Sequence, residues 1–143
     1  TSENPYVIMN DQQLQAMSNE LSAHYVLGQN INVSKTNNWN SGAGFTQVGT
    51  SGDPFTGSLD GQGNTIDGLV INRPSEPDVG LFGYTNGSTI EAIDIVNIDV
   101  TGNESTGGLV GYSAGESIVR NSRVTGSVSS GSENTEAGGI SWN

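Results

Sequence analysis

The feature that most constrains this chain is a phrase written twice. Val79-Gly80-Leu81-Phe82-Gly83-Tyr84 returns as Gly107-Gly108-Leu109-Val110-Gly111-Tyr112, and one constant offset carries Gly80, Leu81, Gly83 and Tyr84 onto Gly108, Leu109, Gly111 and Tyr112. The same offset joins Gly87 to Gly115 and Ile90 to Ile118, and a further copy opens at Gly139-Ile140 after a slightly longer interval. Self-similarity at such a period belongs to repeat units that cannot bury an apolar face alone and stack to do so. The units are rich in glycine and β-branched residues and lack a helical period, so each should be a coil of short strands. A weaker copy lies upstream at a shorter offset, where Ile66, Leu69 and Ile71 match Ile90, Ile93 and Ile95. Ile118 and Val124 are expected to face inward in the following coil. Gly80, Gly83, Gly108 and Gly111 should stand where no side chain fits or where φ is positive. Tyr84 and Tyr112 should stack at the strand spacing of about 4.8 Å.

Ahead of the repeats, Tyr6-Val7-Ile8-Met9 reads as a strand. Asn10 and Gln13 form a capping box, and Leu14, Met17 and Leu21 share one helical face, predicting a single amphipathic helix from 11 to about 22. The first coil of a stack has an open edge, and a helix across it would cover the core, so residues 1–44 are read as a cap and 45–143 as coils. Short strands follow at Tyr25-Val26-Leu27 and Ile31-Asn32-Val33, then a polar loop from Ser34 to Gly44 around Trp39. The Ser- and Gly-rich stretch Ser127 to Glu136 is expected to be a mobile insertion.

The strands punctuated by glycine from Phe45 to Ile71, together with Gly80 to Tyr84 and Gly108 to Tyr112, resemble the bacterial surface proteins that carry the GLUG motif. Leu14 to Val33 is similar to the helix and strands that often precede that segment. The resemblance, to filamentous-haemagglutinin-like adhesins and the non-catalytic regions of immunoglobulin A1 proteases, implies a right-handed parallel β-helix (β-solenoid) with one N-terminal capping helix, outside the cell. No catalytic residue belongs to the motif. The function it implies is a stiff stalk or display module within a longer parent chain, with a glycan or a surface protein as partner. An unpaired strand edge beyond Ile140 is in turn expected to allow end-to-end association.

Composition limits the chemistry. Four basic residues against 15 acidic ones give a net charge of −11, which repels nucleic-acid phosphates and anionic lipid. There is no cysteine and one histidine, His24, so thiolate metal sites are absent and a zinc site lacks ligands. No apolar run is long enough to span a bilayer. Asp60, Gln62 and Asn64 alternate as calcium-loop ligands do, but Thr65 and Ile71 stand where that loop needs Gly and Glu. No cofactor is expected. Against this scaffold reading stands a carbohydrate-binding or carbohydrate-cleaving β-helix. Aligning Ile66 with Ile90 puts Asp67 over Glu91, a carboxylate pair that could serve as acid and base, with Trp39 as a sugar-stacking ring.

Overall fold

The computed structural model describes residues 3–130, 137–138 and 141–142. The chain opens with β1 (Tyr6–Ile8), α1 (Asp11–Gln15) and a 3₁₀ turn (Ala16–Asn19), then β2 (His24–Leu27), β3 (Ile31–Asn32) and a kinked 3₁₀ segment (Ser34–Gly42). It continues through β4 (Ser58–Asp67), β5 (Val70–Asn72), β6 (Asp78–Val79), β7 (Phe82–Asn86) and the long β8 (Thr89–Gly102). Then come β9 (Ser105–Gly107), β10 (Val110–Ala114), β11 (Ile118–Arg120), β12 (Arg123–Ser130), β13 (Ala137–Gly138) and β14 (Ser141–Trp142).

The chain is thus mainly β with one small helix, and the strands form three sheets. The largest runs β1-β2-β4-β8-β11, with β3 on β4 and with β5 and β12 on β8. The second runs β7-β10-β14 and the third β6-β9-β13. Every ladder between these strands is parallel. Parallel neighbours need a crossover between them, and here the chain visits the other sheets before returning.

Packing follows from the registers. Tyr25, Leu59, Ile90 and Val119 stand in one cross-strand row, and Ile31, Ile66, Ile95 and Val124 in another. Ile71, Val100 and Val128 form a third. Because side chains alternate along a strand, these rows share the inner face. Phe45, Phe55 and Phe82 are fully buried among them, with Phe55 and Phe82 ring centroids 4.5 Å apart. Burial thins at both described ends: Tyr6 is 54% exposed, and Val119, Val124 and Val128 are only partly buried.

The tyrosine expectation holds. Tyr84 and Tyr112 pair in register with ring centroids 5.0 Å apart and planes 19° from parallel. Gly80, Gly83 and Gly111 sit where a Cβ would strike neighbouring backbone within 3 Å. Gly107 pairs with Gly138, which reproduces the longer interval that separates Gly108 from Gly139.

Several expectations need correction. The helix spans only Asp11–Gln15 before tightening into the 3₁₀ turn, and Glu20 leaves helical geometry. The carbonyl of Leu21 instead accepts from the N–H groups of Thr56 and Gly57, so the chain is already running toward β2. The cap itself forms: Asn10 Oδ1 accepts from Gln13 N at 2.8 Å, while Gln13 Oε1 reaches back to Met9 N, one residue earlier than the usual box. Leu14 and Met17 are buried, yet β1 keeps its outer edge without a strand partner among the described residues.

Ile118 faces outward, 46% exposed, because it pairs with Thr89; Val119 takes the inward place over Ile90. Ile66 pairs with Ile95 rather than Ile90, so the alignment of the upstream copy is out of register. Ser127 to Ser130 belong to β12, paired with Asp99 to Gly102. The rest of the expected insertion, 131–136, and the edge at Ile140 lie outside the described residues.

Candidate functional site

The expected carboxylate pair is not brought together. Asp67 stands in register with Val96, whereas Glu91 stands over Asp60 and beneath Arg120. The alignment of Ile66 with Ile90 is five residues out, since Ile66 pairs with Ile95, and a corner adds a further shift. Between Asp60 and Asn64 the chain carries a bulge that the facing stretch from Glu91 to Ile93 lacks, with Gln62 and Gly63 at positive φ. Each carboxylate is already engaged locally. Asp67 Oδ1 accepts from Asn97 Nδ2 at 2.9 Å, Asp60 Oδ1 accepts from the N–H of Gln62 at 2.8 Å, and Arg120 Nε donates to Glu91 Oε2. Arg123 lies 3.3 Å from Asp94 one step along the same face. The two arginine contacts are cross-strand ion pairs on a solvated surface, and the geometry is not that of an acid and base flanking a cleft. The stacked acids that do exist, Asp60 and Glu91, escape a reading by periodicity because the bulge shifts the register.

His24 Nδ1 lies 2.7 Å from Ser58 Oγ, and the two residues are also backbone partners. They head an outward row that continues through Thr89 to Ile118, so the contact is a ladder hydrogen bond between cross-strand neighbours. Among the described residues, no group of three or more His, Asp or Glu side chains could hold a metal ion. No described helix is long and apolar enough to cross a membrane.

Trp39 has a different setting. Its indole stacks on Phe45 with centroids 6.3 Å apart and planes 22° from parallel, half-buried at the edge of the core. It lines a groove of about 600 Å³ between α1, the following 3₁₀ turn and the loop to Thr46. The groove walls are held by a reciprocal amide bond: Gln15 Nε2 donates to Thr46 O and Thr46 N donates to Gln15 Oε1, both 2.8 Å. Arg73, which no motif or spacing singles out, fixes the far side. Its guanidinium donates to Phe45 O, Gly44 O and Thr46 Oγ1 and pairs with Glu76 at 3.0 Å.

A second acidic cluster lies on the third sheet. Burial, with the charge of Glu104 added, pushes the Asp78 carboxyl above its ordinary 3.8. Near β1, burial first and then Glu20 push the Tyr25 phenol up to about 12, while its hydroxyl donates to the carbonyl oxygen of Glu20 at 2.8 Å.

The fold and its surface define a glycine-punctuated, mainly β repeat chain with parallel sheets. Its repeat is of a known kind: residues 102–129 match the GLUG motif, which covers the second of the two glycine runs but not the first. The chain is 43% identical over 145 positions to Halomucin of Haloquadratum walsbyi, an alignment that covers 97% of this chain and 2% of that protein. It is 31% identical over 108 positions to an Evansella cellulosilytica protein whose name describes it as a Gly-rich membrane protein, covering 74% of this chain and 12% of that one. The chain therefore spans a small fraction of the length of these relatives. No solved structure matches it significantly.

Proposed function

We propose that the chain is a non-catalytic structural module of a cell-surface or extracellular protein, wound as a right-handed β-solenoid that displays loops and edges to partners. The observation that carries this reading is the stacking itself. Three sheets, all parallel, take successive strands from the chain in the same cyclic order, so that β6, β7 and β9 each meet a partner about one repeat further along, at β9, β10 and β13. Parallel strands in one sheet joined by crossovers are right-handed in about 98% of cases, which supports the hand. Continuous backbone ladders resist bending, so a long array of such coils is a stiff spacer. The names of the relatives, Halomucin and a membrane protein, support placement at a surface.

The separation of Asp67 from Glu91, and the salt bridge that occupies Glu91, support the absence of catalysis. An adhesive role follows the same logic, as does end-to-end association through the outer edge of β1, which has no strand partner among the described residues and where Tyr6 and Val7 are 54% and 53% exposed. Protease shaving of intact producing cells tests the placement: peptides from this stretch should be released without lysis, and release only after lysis overturns it. A crystal structure tests the winding, and a left-handed path or sheets filled by neighbouring chains would refute it.

A further inference from the structure

We propose that the groove beside Trp39 is a binding site for an uncharged saccharide. The inference does not depend on the solenoid reading. Its first support is charge. In a chain with 15 acidic and 4 basic side chains, the walls around the indole are Gln12, Gln15, Ser18, Asn19, Asn40 and Thr46, and no lining side chain is ionisable at neutral pH. The adjoining groove across Asn19 contains Glu20 and Asp53, so the two neighbours differ in charge. A charged ligand would find no counter-charge among these lining side chains, since the guanidinium of Arg73 behind Thr46 is already paired with Glu76, and would face the cost of desolvation without return. A sugar needs none.

The second support is chemical match. A pyranose presents an apolar C–H face and a rim of hydroxyls that both donate and accept. The indole stacks on Phe45 and also lines the groove, so it contributes apolar ring surface that a C–H face can cover. The amides of Gln12 and Asn19 on the exposed rim each offer a donor and an acceptor, the pairing that neighbouring hydroxyls require. A volume of about 600 Å³ lies within the usual range for small-ligand sites.

Preorganisation is the third support. Asn40 and Ser41, which follow Trp39, both adopt left-handed backbone with φ of 53° and 57°. Two such residues in succession, neither a glycine, are costly, and backbone strain of this kind collects at binding sites. The surroundings hold it in place: Asn40 Nδ2 donates to Gly44 O at 2.8 Å, and Arg73 and Gln15 clamp Thr46 from two sides. A groove already fixed in shape loses less entropy when a ligand enters.

The test uses maltohexaose, cellohexaose and chitohexaose as neutral probes and hexagalacturonate as the charged control. Trp142→Phe leaves Trp39 as the sole tryptophan, so its indole N–H resonance reports the groove directly. At least one neutral oligomer should shift that resonance saturably, with a dissociation constant on the order of millimolar or tighter. Trp39→Ala should weaken binding about tenfold and Trp39→Phe only about threefold, as loss and retention of ring stacking imply. Gln12 and Asn19 are exposed, so Gln12→Ala with Asn19→Ala keeps the test valid if Trp39→Ala fails to fold, and should weaken binding about fivefold. No saturable shift with any neutral oligomer, preference for hexagalacturonate, or binding unchanged in the double variant would overturn the proposal.

Discussion

Replacing Gly83 by Ala should be among the most damaging single-methyl changes in the chain. A Cβ there would lie 2.5 Å from the carbonyl oxygen of Gly49, 2.7 Å from Gln47 Cγ and 2.8 Å from the carbonyl oxygen of Asp78. Two of the three obstacles are backbone, so rotamer changes cannot relieve them. Nor can the strand retreat. Gly83 N donates to Val48 O at 2.9 Å, and Phe82 N to Leu109 O at 2.9 Å, so a shift breaks ladders on both sides of β7. It would also move Phe82, whose ring is 4.5 Å from Phe55 in the centre of the core. Overpacking a well-filled core costs about 1–3 kcal/mol, and a backbone clash belongs at the upper end, about 3 kcal/mol. For a domain of this size that lowers the thermal midpoint by roughly 10 °C. Gly52 provides the control. A methyl group added there would meet nothing within 4 Å, and the residue sits in a turn closed by Thr50 and Asp53, so Gly52→Ala should move the midpoint by less than about 2 °C. Melts of the two variants by circular dichroism decide the matter. A loss below about 3 °C in Gly83→Ala, or equal losses in both, would refute the argument that close backbone approach holds this glycine in place.

Three further outcomes are expected. A double-mutant cycle of Tyr84→Ala and Tyr112→Ala should give a coupling of about 1 kcal/mol from the stacked rings, read by urea denaturation, and additive losses would refute it. Asp78 has its pKa raised in the folded chain, so its contribution to stability is present below 3.8 and is lost as pH rises through the folded value. Asp78→Asn should therefore melt with the parent at pH 3 and above it at pH 6.5; a difference that shrinks with rising pH would count against burial as the cause. Glu91→Gln should change stability by less than about 1 kcal/mol, since its partner Arg120 is exposed, and a larger loss in chemical denaturation would contradict the reading of a surface pair.

Much of the architecture is legible in the residues because it depends on local chemistry. Asn10 and Gln13 announce the start of α1, and Tyr84 and Tyr112 find each other because the strands carrying them pair directly. The helix end is less visible. Leu21 continues the apolar stripe, but its carbonyl is taken by the N–H of Thr56, which arrives from the segment leading into β4. The groove is harder still. Trp39 stands out as a residue, whereas Gln12 and Asn19 become neighbours of the indole only through the fold. Arg73 likewise has no local signal, because the backbone carbonyls it holds, those of Gly44 and Phe45, are brought to it by the fold.

The register error at Ile118 has a physical source: the coils are not of one length. The glycine runs keep a constant offset because Phe82 pairs with Val110 and Tyr84 with Tyr112. On the largest sheet the step is one residue longer, as Ile90 with Val119 and Ile95 with Val124 show, and that residue is dropped at the next corner, where Gly126 pairs with Ile98. Carrying the glycine offset onto that sheet slips the strand by one, and a one-residue slip turns every side chain to the opposite face. Charge offered a better ruler than glycine. Glu91 and Asp94 meet Arg120 and Arg123 across adjacent strands at the longer step, and these are two of only four basic residues in the chain. Scarce cations placed against acids on the neighbouring coil report the register of the outer face of the largest sheet directly, whereas the glycine runs report the register of the sheet that carries β7 and β10. Exchanging the charges of a single pair by Glu91→Arg with Arg120→Glu should accordingly leave the fold intact, while Arg120→Glu alone should destabilise it by about 1 kcal/mol through repulsion with Glu91 across the ladder. Equal stability of the single and double variants, measured by urea denaturation at low salt, would show that the outer pairs do not sense one another.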